Sequence, residues 1–188
     1  KNRSGFVLAE GAAVLVLESL ESAQKRNVPV LGEIAGFGSN CDATSLTNPD
    51  ENGVAAAIRL ALDDAELNPE DIGYINAHGT GTRLNDPLEC RAIHQIFGGR
   101  AATLPVSSNK SVFGHSMGAS SALEALATLL AVQNDCAPPT LNCDYQDPEC
   151  AIDAVPHNSR KVTIDAALSN SFAFGGSNAV LAFRKWKP

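Results

Sequence analysis

The stretch IGYINAHGTGTRLNDPLECRAIHQIF, residues 72–97, decides the fold class. Its first six residues form an apolar run bounded by polar turn residues, which predicts a short buried strand. Asp86-Pro87 then predicts a helix with proline in its first turn, and Gly98-Gly99 predicts its end. Another strand is expected around Val106. The order strand, helix, strand is typical of a parallel α/β sheet.

The same alternation continues in both directions along the chain. Residues 6–17 predict two strands, and strands are also expected at 161–168 and 179–183. The segment 117–132 contains Glu124 as its only charge, which predicts a core helix covered on nearly all sides. We therefore predict an α/β fold with a mainly parallel, mixed sheet covered by helices.

Composition narrows the function classes. The 188 residues are 44% hydrophobic and carry a net charge of -7, which argues against nucleic acid or an anionic membrane as the partner. No apolar run reaches the length of about 18 residues that a membrane span needs, so we expect a cytoplasmic protein. The five cysteines contain no CxxC pair, so reduced thiols and no metal site are expected. Because a strand-like run follows Lys1 almost at once, we also expect the chain to start inside a larger protein.

Three loops carry the residues suited to chemistry. The first, 76–82, ends a buried strand in a histidine, and its glycines allow close approach to a ligand. The second, 107–115, contains Lys110 and His115 and leads directly into the apolar helix. Charges beside such a helix are costly to bury without partners. The third, 170–178, is a Phe-rich bend between two strands. Taken singly, each loop is equally open to a structural interpretation.

Together, and in this order, these loops resemble the active-site loops of the elongating β-ketoacyl-[acyl carrier protein] synthases, condensing enzymes of the thiolase-like superfamily. The resemblance extends to residues 3–11, 138–142 and 155–157, so it covers essentially the whole chain. It implies a thiolase-like fold in which residues 1–40 end the N-terminal half and residues 41–188 form the C-terminal half.

The resemblance implies catalytic roles for four polar residues. His78 and His115 match the pair that binds the thioester oxygen of malonyl-[acyl carrier protein] while carbon dioxide leaves. Lys110 matches the active-site lysine of the family, and Glu89 matches the acid that partners it. The lysine and the acid are expected to hold the geometry and the charge of the site.

The resemblance also implies residues that contact the substrate. Thr80 and Thr82 match the hydroxyls that bind the phosphopantetheine arm. Phe174 matches a gating phenylalanine whose amide N–H contributes to the oxyanion hole for the acyl-enzyme, and Phe172 and Gly175 support this bend. Some positions depart from the family pattern, which leaves the preferred acyl chain length open; they are Gly81, residues 83–85, Phe113 and Ala173.

The implied reaction is transfer of an acyl group to a cysteine, followed by decarboxylative Claisen condensation with a malonyl thioester in fatty acid biosynthesis. The family places that cysteine upstream of Lys1, so we expect the isolated chain to be inactive. The implied partners are acyl carrier protein, acyl and malonyl thioesters, the missing N-terminal half and a second copy in a homodimer. No cofactor is implied beyond the phosphopantetheine of the carrier protein.

Other functions stay open beside this one. The chain would also fit a non-catalytic, chain-length-type partner subunit of a polyketide or fatty acid synthase, although the presence of His78, Lys110 and His115 counts against it. A module that only binds acyl carrier protein is a second alternative. A biosynthetic thiolase that uses coenzyme A is a third, and the absence of a thiol from residues 174–177 counts against it.

Overall fold

The computed structural model describes residues 1–187. The helices are α1 (Leu20–Arg26), α2 (Glu51–Asp64), α3 (Asn85–Phe97), α4 (Lys110–Phe113) and α5 (Ser120–Asn134). The strands are β1 (Glu33–Cys41), β2 (Ile72–Asn76), β3 (Val106–Ser107), β4 (Cys136–Ala137), β5 (Arg160–Lys161), β6 (Ala166–Ala173) and β7 (Ser177–Arg184).

One sheet of five strands, in the order β1-β7-β6-β2-β3, forms the centre of the fold. Strand β2 is parallel to both β3 and β6, whereas β7 is antiparallel to both β6 and β1. The predicted α/β fold with a mixed sheet is therefore confirmed, with its pairings divided equally between the two directions. The antiparallel part arises because a tight bend joins β6 to β7, where a parallel pair would need a long crossover.

Helices cover both faces of this sheet. Ile75 and Leu168 belong to one apolar core with α2 and α3, whereas the adjacent Tyr74 and Ala167 belong to a second core with α5. Successive side chains on a strand point to opposite faces, so the two cores lie on opposite sides of the sheet. In sheets of this type, ligands bind at the carboxyl ends of the parallel strands, so a site is expected there.

Two predictions from the apolar pattern are wrong for the described residues. Residues 6–17 form no strand beyond a single bridge between Leu8 and His115, and Val14 and Val16 are 89% and 84% exposed. No other strand of residues 1–187 pairs with this segment, and an extended chain needs such a neighbour to become a strand. Helix α5 is likewise not covered on nearly all sides, because a row of its leucines is exposed.

The N-terminal part of the chain joins the same sheet. Strand β1 crosses the expected boundary at residue 40 and pairs with β7 from Glu33 to Cys41. The division into 1–40 and 41–188 stays a prediction. Among residues 1–187, no helix combines the length and the apolar character that crossing a bilayer requires.

Candidate active site

Strand order brings the three loops to one edge of the sheet. Asn76, the last residue of β2, lies opposite Ser107 of β3 and Ser169 of β6. Because these strands are parallel, the segments that follow them leave the sheet on the same side. This places the His78 loop between the loop of Lys110 and the bend that contains Phe174.

His78 and His115 lie next to each other. Their ring centroids are 5.7 Å apart with an interplanar angle of 87°. The ring of the buried Phe172 also packs against His78 in an edge-to-face arrangement, with the ring centroids 5.4 Å apart. The His78 side chain is buried, whereas that of His115 is partly accessible.

The neighbours of each histidine fix its tautomer. The ammonium group of Lys110 lies 3.4 Å from Nδ1 of His78, and the amide of Met117 donates to Nδ1 of His115 at 3.2 Å. Ammonium and amide N–H groups only donate, so both Nδ1 atoms accept and the proton of each neutral ring is on Nε2. Ser120, whose hydroxyl is 2.8 Å from the same Nδ1 of His115, provides a further donor.

Burial and charge keep both imidazoles neutral. Burial lowers the pKa of His78 well below its ordinary value, and the charge of Lys110, together with that of His115 whenever this ring is protonated, lowers it further. Burial also lowers the pKa of His115, with a second contribution from Lys110. Each ring therefore offers an Nε2–H donor without carrying a charge of its own.

The carboxylate that pairs with Lys110 is Glu124 of α5, not Glu89, so the predicted pairing is corrected. The ammonium forms a short contact to Glu124 and also donates to the carbonyl oxygen of His78 at 2.7 Å. Burial raises the pKa of Glu124 to about 7, although the neighbouring Lys110 opposes this rise. The signal for this pair was the lone charge in the apolar helix, since a buried charge needs a partner.

Glu89 instead holds the backbone of the first loop. Its two carboxylate oxygens accept hydrogen bonds from the amides of His78 and Gly79, both at 2.9 Å. The amide side chain of Asn170 donates to the same carboxylate at 3.1 Å, which ties the first loop to β6. Burial raises the pKa of Glu89, and these hydrogen bonds act against that rise. Glu89 is thus a positioning residue.

Thr80 and Thr82 follow His78 in the first loop. The hydroxyls of Thr80 and Thr82 are 2.9 Å apart, and both side chains are half-buried. Thr82 also accepts a hydrogen bond from the amide of Asn85 at the start of α3, at 3.2 Å. This leaves the hydroxyl of Thr80 with a free lone pair for a ligand.

Backbone hydrogen bonds connect the Phe174 bend to the loop that follows β1. The Phe174 side chain is 72% exposed at the tip of the bend. Gly175 donates its amide to the carbonyl of Leu46 at 2.9 Å, and the amide of Asp42 donates to the carbonyl of Gly176 at 2.9 Å. Asp42 is a residue that sequence reasoning missed, because its contact becomes apparent only when the two loops meet.

Three buried oxygens at this edge have no hydrogen-bond donor among residues 1–187; they are Oδ1 of Asn76, Oε2 of Glu124 and Oδ1 of Asn170. Buried amide and carboxylate oxygens of this kind suit a bound water. Among residues 1–187, no group of three or more His, Cys, Asp or Glu side chains is arranged to hold a metal ion.

Comparison with known families shows what this chain is similar to. The family model "Beta-ketoacyl synthase, C-terminal domain" matches residues 31–144. A 3-oxoacyl-[acyl-carrier-protein] synthase 2 of Synechocystis sp. is 49% identical over 100% of this chain and 45% of its own length. Nodulation protein E of Rhizobium sp. is 48% identical over 98% of this chain and 46% of its own length. The chain thus spans about half the length of these curated relatives.

Solved structures show the same fold. The ishigamide ketosynthase/chain length factor superposes with a TM-score of 0.97 at 45% identity, over 100% of this chain and 46% of that one. A type II PKS acyl-carrier protein in complex with its ketosynthase superposes with a TM-score of 0.95 at 36% identity, over 99% of this chain and 46% of that one. The fold is therefore thiolase-like, and the chain belongs to the C-terminal domain family of the β-ketoacyl synthases.

Proposed function

We propose that this chain supplies the C-terminal part of a 3-oxoacyl-[acyl carrier protein] synthase. The complete protein would condense an acyl thioester with malonyl-[acyl carrier protein] in fatty acid biosynthesis. The observation that carries this proposal is the adjacent pair of neutral imidazoles, His78 and His115, each with its proton on Nε2. Family membership supports the reaction class, and the names of the relatives from Synechocystis and Coxiella support the substrate.

The two Nε2–H groups would donate to the thioester oxygen of the malonyl group. As the bond to the carboxylate breaks, its electron pair forms an enolate, and negative charge develops on that oxygen. Fixed donors aimed at a developing oxyanion typically contribute a factor of about 10² to 10³ in rate. The enolate carbon then attacks the acyl carbonyl, and the bond from that carbonyl to the cysteine sulfur breaks.

The buried charges around the histidines would maintain this state. The Lys110 charge lowers the pKa of both imidazoles, so that they stay uncharged donors. Glu124 neutralises Lys110 within the apolar surroundings of α5. Glu89 fixes the backbone amides at His78 and Gly79 and thereby the direction of the His78 ring.

Substrate contacts follow from the same edge of the sheet. We propose that Thr80 and Thr82 bind the phosphopantetheine arm of acyl carrier protein, and that Phe174, supported by Phe172 and Gly175, gates the acyl group. The exposed position of Phe174 supports a mobile role. The solved complex of a related ketosynthase with its acyl-carrier protein supports the choice of partner. No other cofactor and no metal is needed for these steps.

An N-terminal half would complete the site and cover exposed apolar side chains. Val14 and Val16 are 89% and 84% exposed, and Leu126 and Leu130 of α5 are 39% and 47% exposed. Large apolar side chains that are exposed in this number point to an interface. We propose that the missing half of the duplicated fold packs here and supplies the nucleophilic cysteine, and that the complete protein is a cytoplasmic homodimer.

A chain-length-type partner subunit of a polyketide or fatty acid synthase is the second candidate. It is favoured by the similarity to a structure described as a ketosynthase/chain length factor. Such a subunit would not need the histidine pair with its buried lysine. Because these groups are present and are held in place by hydrogen bonds, they favour the enzyme over the partner subunit.

A condensation assay on the complete protein separates the two candidates. With acyl- and malonyl-[acyl carrier protein], the enzyme is expected to form one 3-oxoacyl product for each carbon dioxide released, without a second type of subunit. Carbon dioxide release with no product, or product only after a second subunit is added, would favour the partner subunit. Residues 1–188 alone are expected to give no product, because the nucleophile would be missing.

A further inference from the structure

A second cluster of reactive side chains adjoins the first site loop, residues 76–82. Three thiols, Cys90, Cys143 and Cys150, line a cavity of about 120 Å³, which is large enough for a few water molecules or a small oxidant. Gly79 of the first site loop and Ser108 of the second form another part of the cavity wall. The roles proposed for the site residues use none of these thiols.

Arg3 connects this cluster to two carboxylates. Its guanidinium donates to Asp86 at 3.1 Å and to Asp147 at 2.5 Å, and its remaining nitrogen lies 3.4 Å from the sulfur of Cys150. The Arg3 and Asp86 side chains are only 15% and 19% exposed, so this charge is held close to the sulfur with little solvent between. A fixed guanidinium stabilises a thiolate.

Cys90 and Cys150 are arranged as unequal partners. Both are buried free thiols, and both line the same small cavity. Interaction with Cys90 and the charge of Arg3 lower the pKa of Cys150, although burial and the carboxylates of Asp86 and Asp147 oppose this. Interaction with Cys150 and burial raise the pKa of Cys90. Cys150, whose sulfur lies beside the Arg3 guanidinium, is therefore the better nucleophile of the two, and Cys90 is the candidate resolving thiol.

We propose that Cys150 and Cys90 form a redox-sensitive pair that a hydroperoxide, such as hydrogen peroxide, converts into a disulfide. The Cys150 thiolate attacks one peroxide oxygen, so that a sulfur–oxygen bond forms, the oxygen–oxygen bond breaks, and hydroxide leaves as water after taking a proton. The sulfur of Cys90 then attacks the resulting sulfenic acid. The sulfur–sulfur bond forms, and the departing hydroxide takes the Cys90 proton. In total, two thiols and one peroxide give a disulfide and two waters.

The position of the pair links it to the histidine loop. Cys90 follows Glu89 in α3, and the carboxylate of Glu89 holds the amides of His78 and Gly79. Oxidation of the thiol pair would therefore change a residue directly next to Glu89, which positions His78. The inference is independent of the proposed condensation, because the chemistry at the sulfur atoms is measured without any substrate.

Peptide mapping of the complete protein after hydrogen peroxide treatment tests the proposal. The expected product is a Cys90–Cys150 cross-linked peptide that dithiothreitol reverses. Cys90→Ser is expected to stop the reaction at a Cys150 sulfenic acid that dimedone traps, and Cys150→Ser to leave Cys90 reduced. Arg3→Gln is expected to slow the oxidation roughly tenfold, because it removes the positive charge that stabilises the Cys150 thiolate. Arg91→Gln, which removes an exposed arginine paired with Glu51, is the matched control and is expected to change nothing.

Two results from the unsubstituted protein would overturn the proposal. One is oxidation of the exposed Cys41 while Cys90 and Cys150 both stay reduced, because exposure alone would then decide reactivity. The other is a disulfide from Cys150 to Cys143, which would show that Cys90 is not the resolving thiol. Both outcomes are read without substitutions, so the test does not depend on the folding of a variant.

Discussion

Lys110 and Glu124 form an ion pair in which only 4% and 1% of the two side chains are exposed. The pair joins the short helix α4 to the apolar helix α5, and the same ammonium donates to the carbonyl of His78. Two buried charges are tolerated only because each compensates the other. The position of His78 therefore depends on Glu124, a residue that follows the lysine by 14 positions.

Removing the lysine is expected to destabilise the complete protein strongly. Lys110→Met leaves the Glu124 carboxylate buried without a partner, which typically costs about 3–5 kcal/mol in the free energy of unfolding. Urea denaturation measures this loss. Arg91→Met breaks the exposed pair with Glu51 and is expected to cost no more than about 1 kcal/mol. The double variant Lys110→Met with Glu124→Leu is expected to regain most of the loss, and a single-variant loss below about 1 kcal/mol would contradict the pairing.

Both active-site imidazoles are expected to stay neutral, with the proton on Nε2, when the pH falls to the ordinary histidine pKa of 6.5. Because burial and Lys110 lower the pKa of His78 and His115, the unfolded chain takes up these protons at a higher pH than the folded protein. Their contribution to stability is therefore lost as the pH falls below 6.5. Nitrogen-15 NMR of the two rings between pH 7.5 and 5 measures the charge and the tautomer. An imidazolium at pH 6.5, or a proton on Nδ1 in either neutral ring, would contradict this description.

Glu89→Gln is expected to loosen the first loop without removing any side chain that contacts substrate. An amide offers one acceptor oxygen where the carboxylate offers two, so the N–H of either His78 or Gly79 loses its acceptor. Loss of one hydrogen bond to a charged group costs about 1.5–3 kcal/mol. Amide hydrogen exchange at these two residues is expected to be at least about tenfold faster than in the parent protein, as about 1.4 kcal/mol of local stability would give. Exchange equal to that of the parent would show that the carboxylate does not hold the loop, and Glu51→Gln on the exposed surface provides the control.

The two glycines of the Phe174 bend are expected to differ in their tolerance of alanine. Both have a positive φ, +81° and +80°, but a Cβ on Gly175 meets nothing within 4 Å, whereas one on Gly176 would lie 1.6 Å from Oδ1 of Asp42. Gly175→Ala should therefore cost about 1–2 kcal/mol, the usual penalty of the left-handed conformation. Gly176→Ala adds overpacking of about 1–3 kcal/mol and displaces Asp42. Urea denaturation compares the two variants, and equal losses would mean that Asp42 does not support the bend.

Local sequence patterns predicted most of the fold because the strands and helices of the sheet are short, periodic and bounded by strong turn signals. Strand β2 and helix α3 are examples, since Pro87 and Gly98 mark the ends of the helix within two residues. The pattern failed for residues 6–17 and for the outer face of α5. In both places the pattern predicted that apolar residues are buried, but no described residue covers them. Periodicity shows that a face is apolar and does not indicate which partner covers it.

The site was predicted in part for a similar reason. The three loops and the two histidines could be placed because loops after parallel strands meet at one edge. The partner of Lys110 could not, because Glu89 and Glu124 are both buried acids, and only the packing of α5 decides between them. Asp42 lies 134 residues before Gly176, and no local pattern connects two loops at such a separation.

Decarboxylation of malonyl-[acyl carrier protein] by the complete protein tests the central claim most directly. His78→Ala and His115→Ala each remove one Nε2–H donor, and each is expected to slow the release of carbon dioxide by roughly 10²-fold or more. His157→Asn, which changes an exposed histidine at positive φ to a residue that tolerates that conformation, is the control and is expected to leave the rate unchanged. Rates for the His78 and His115 variants equal to that of the parent, in folded protein, would contradict the role of the histidine pair.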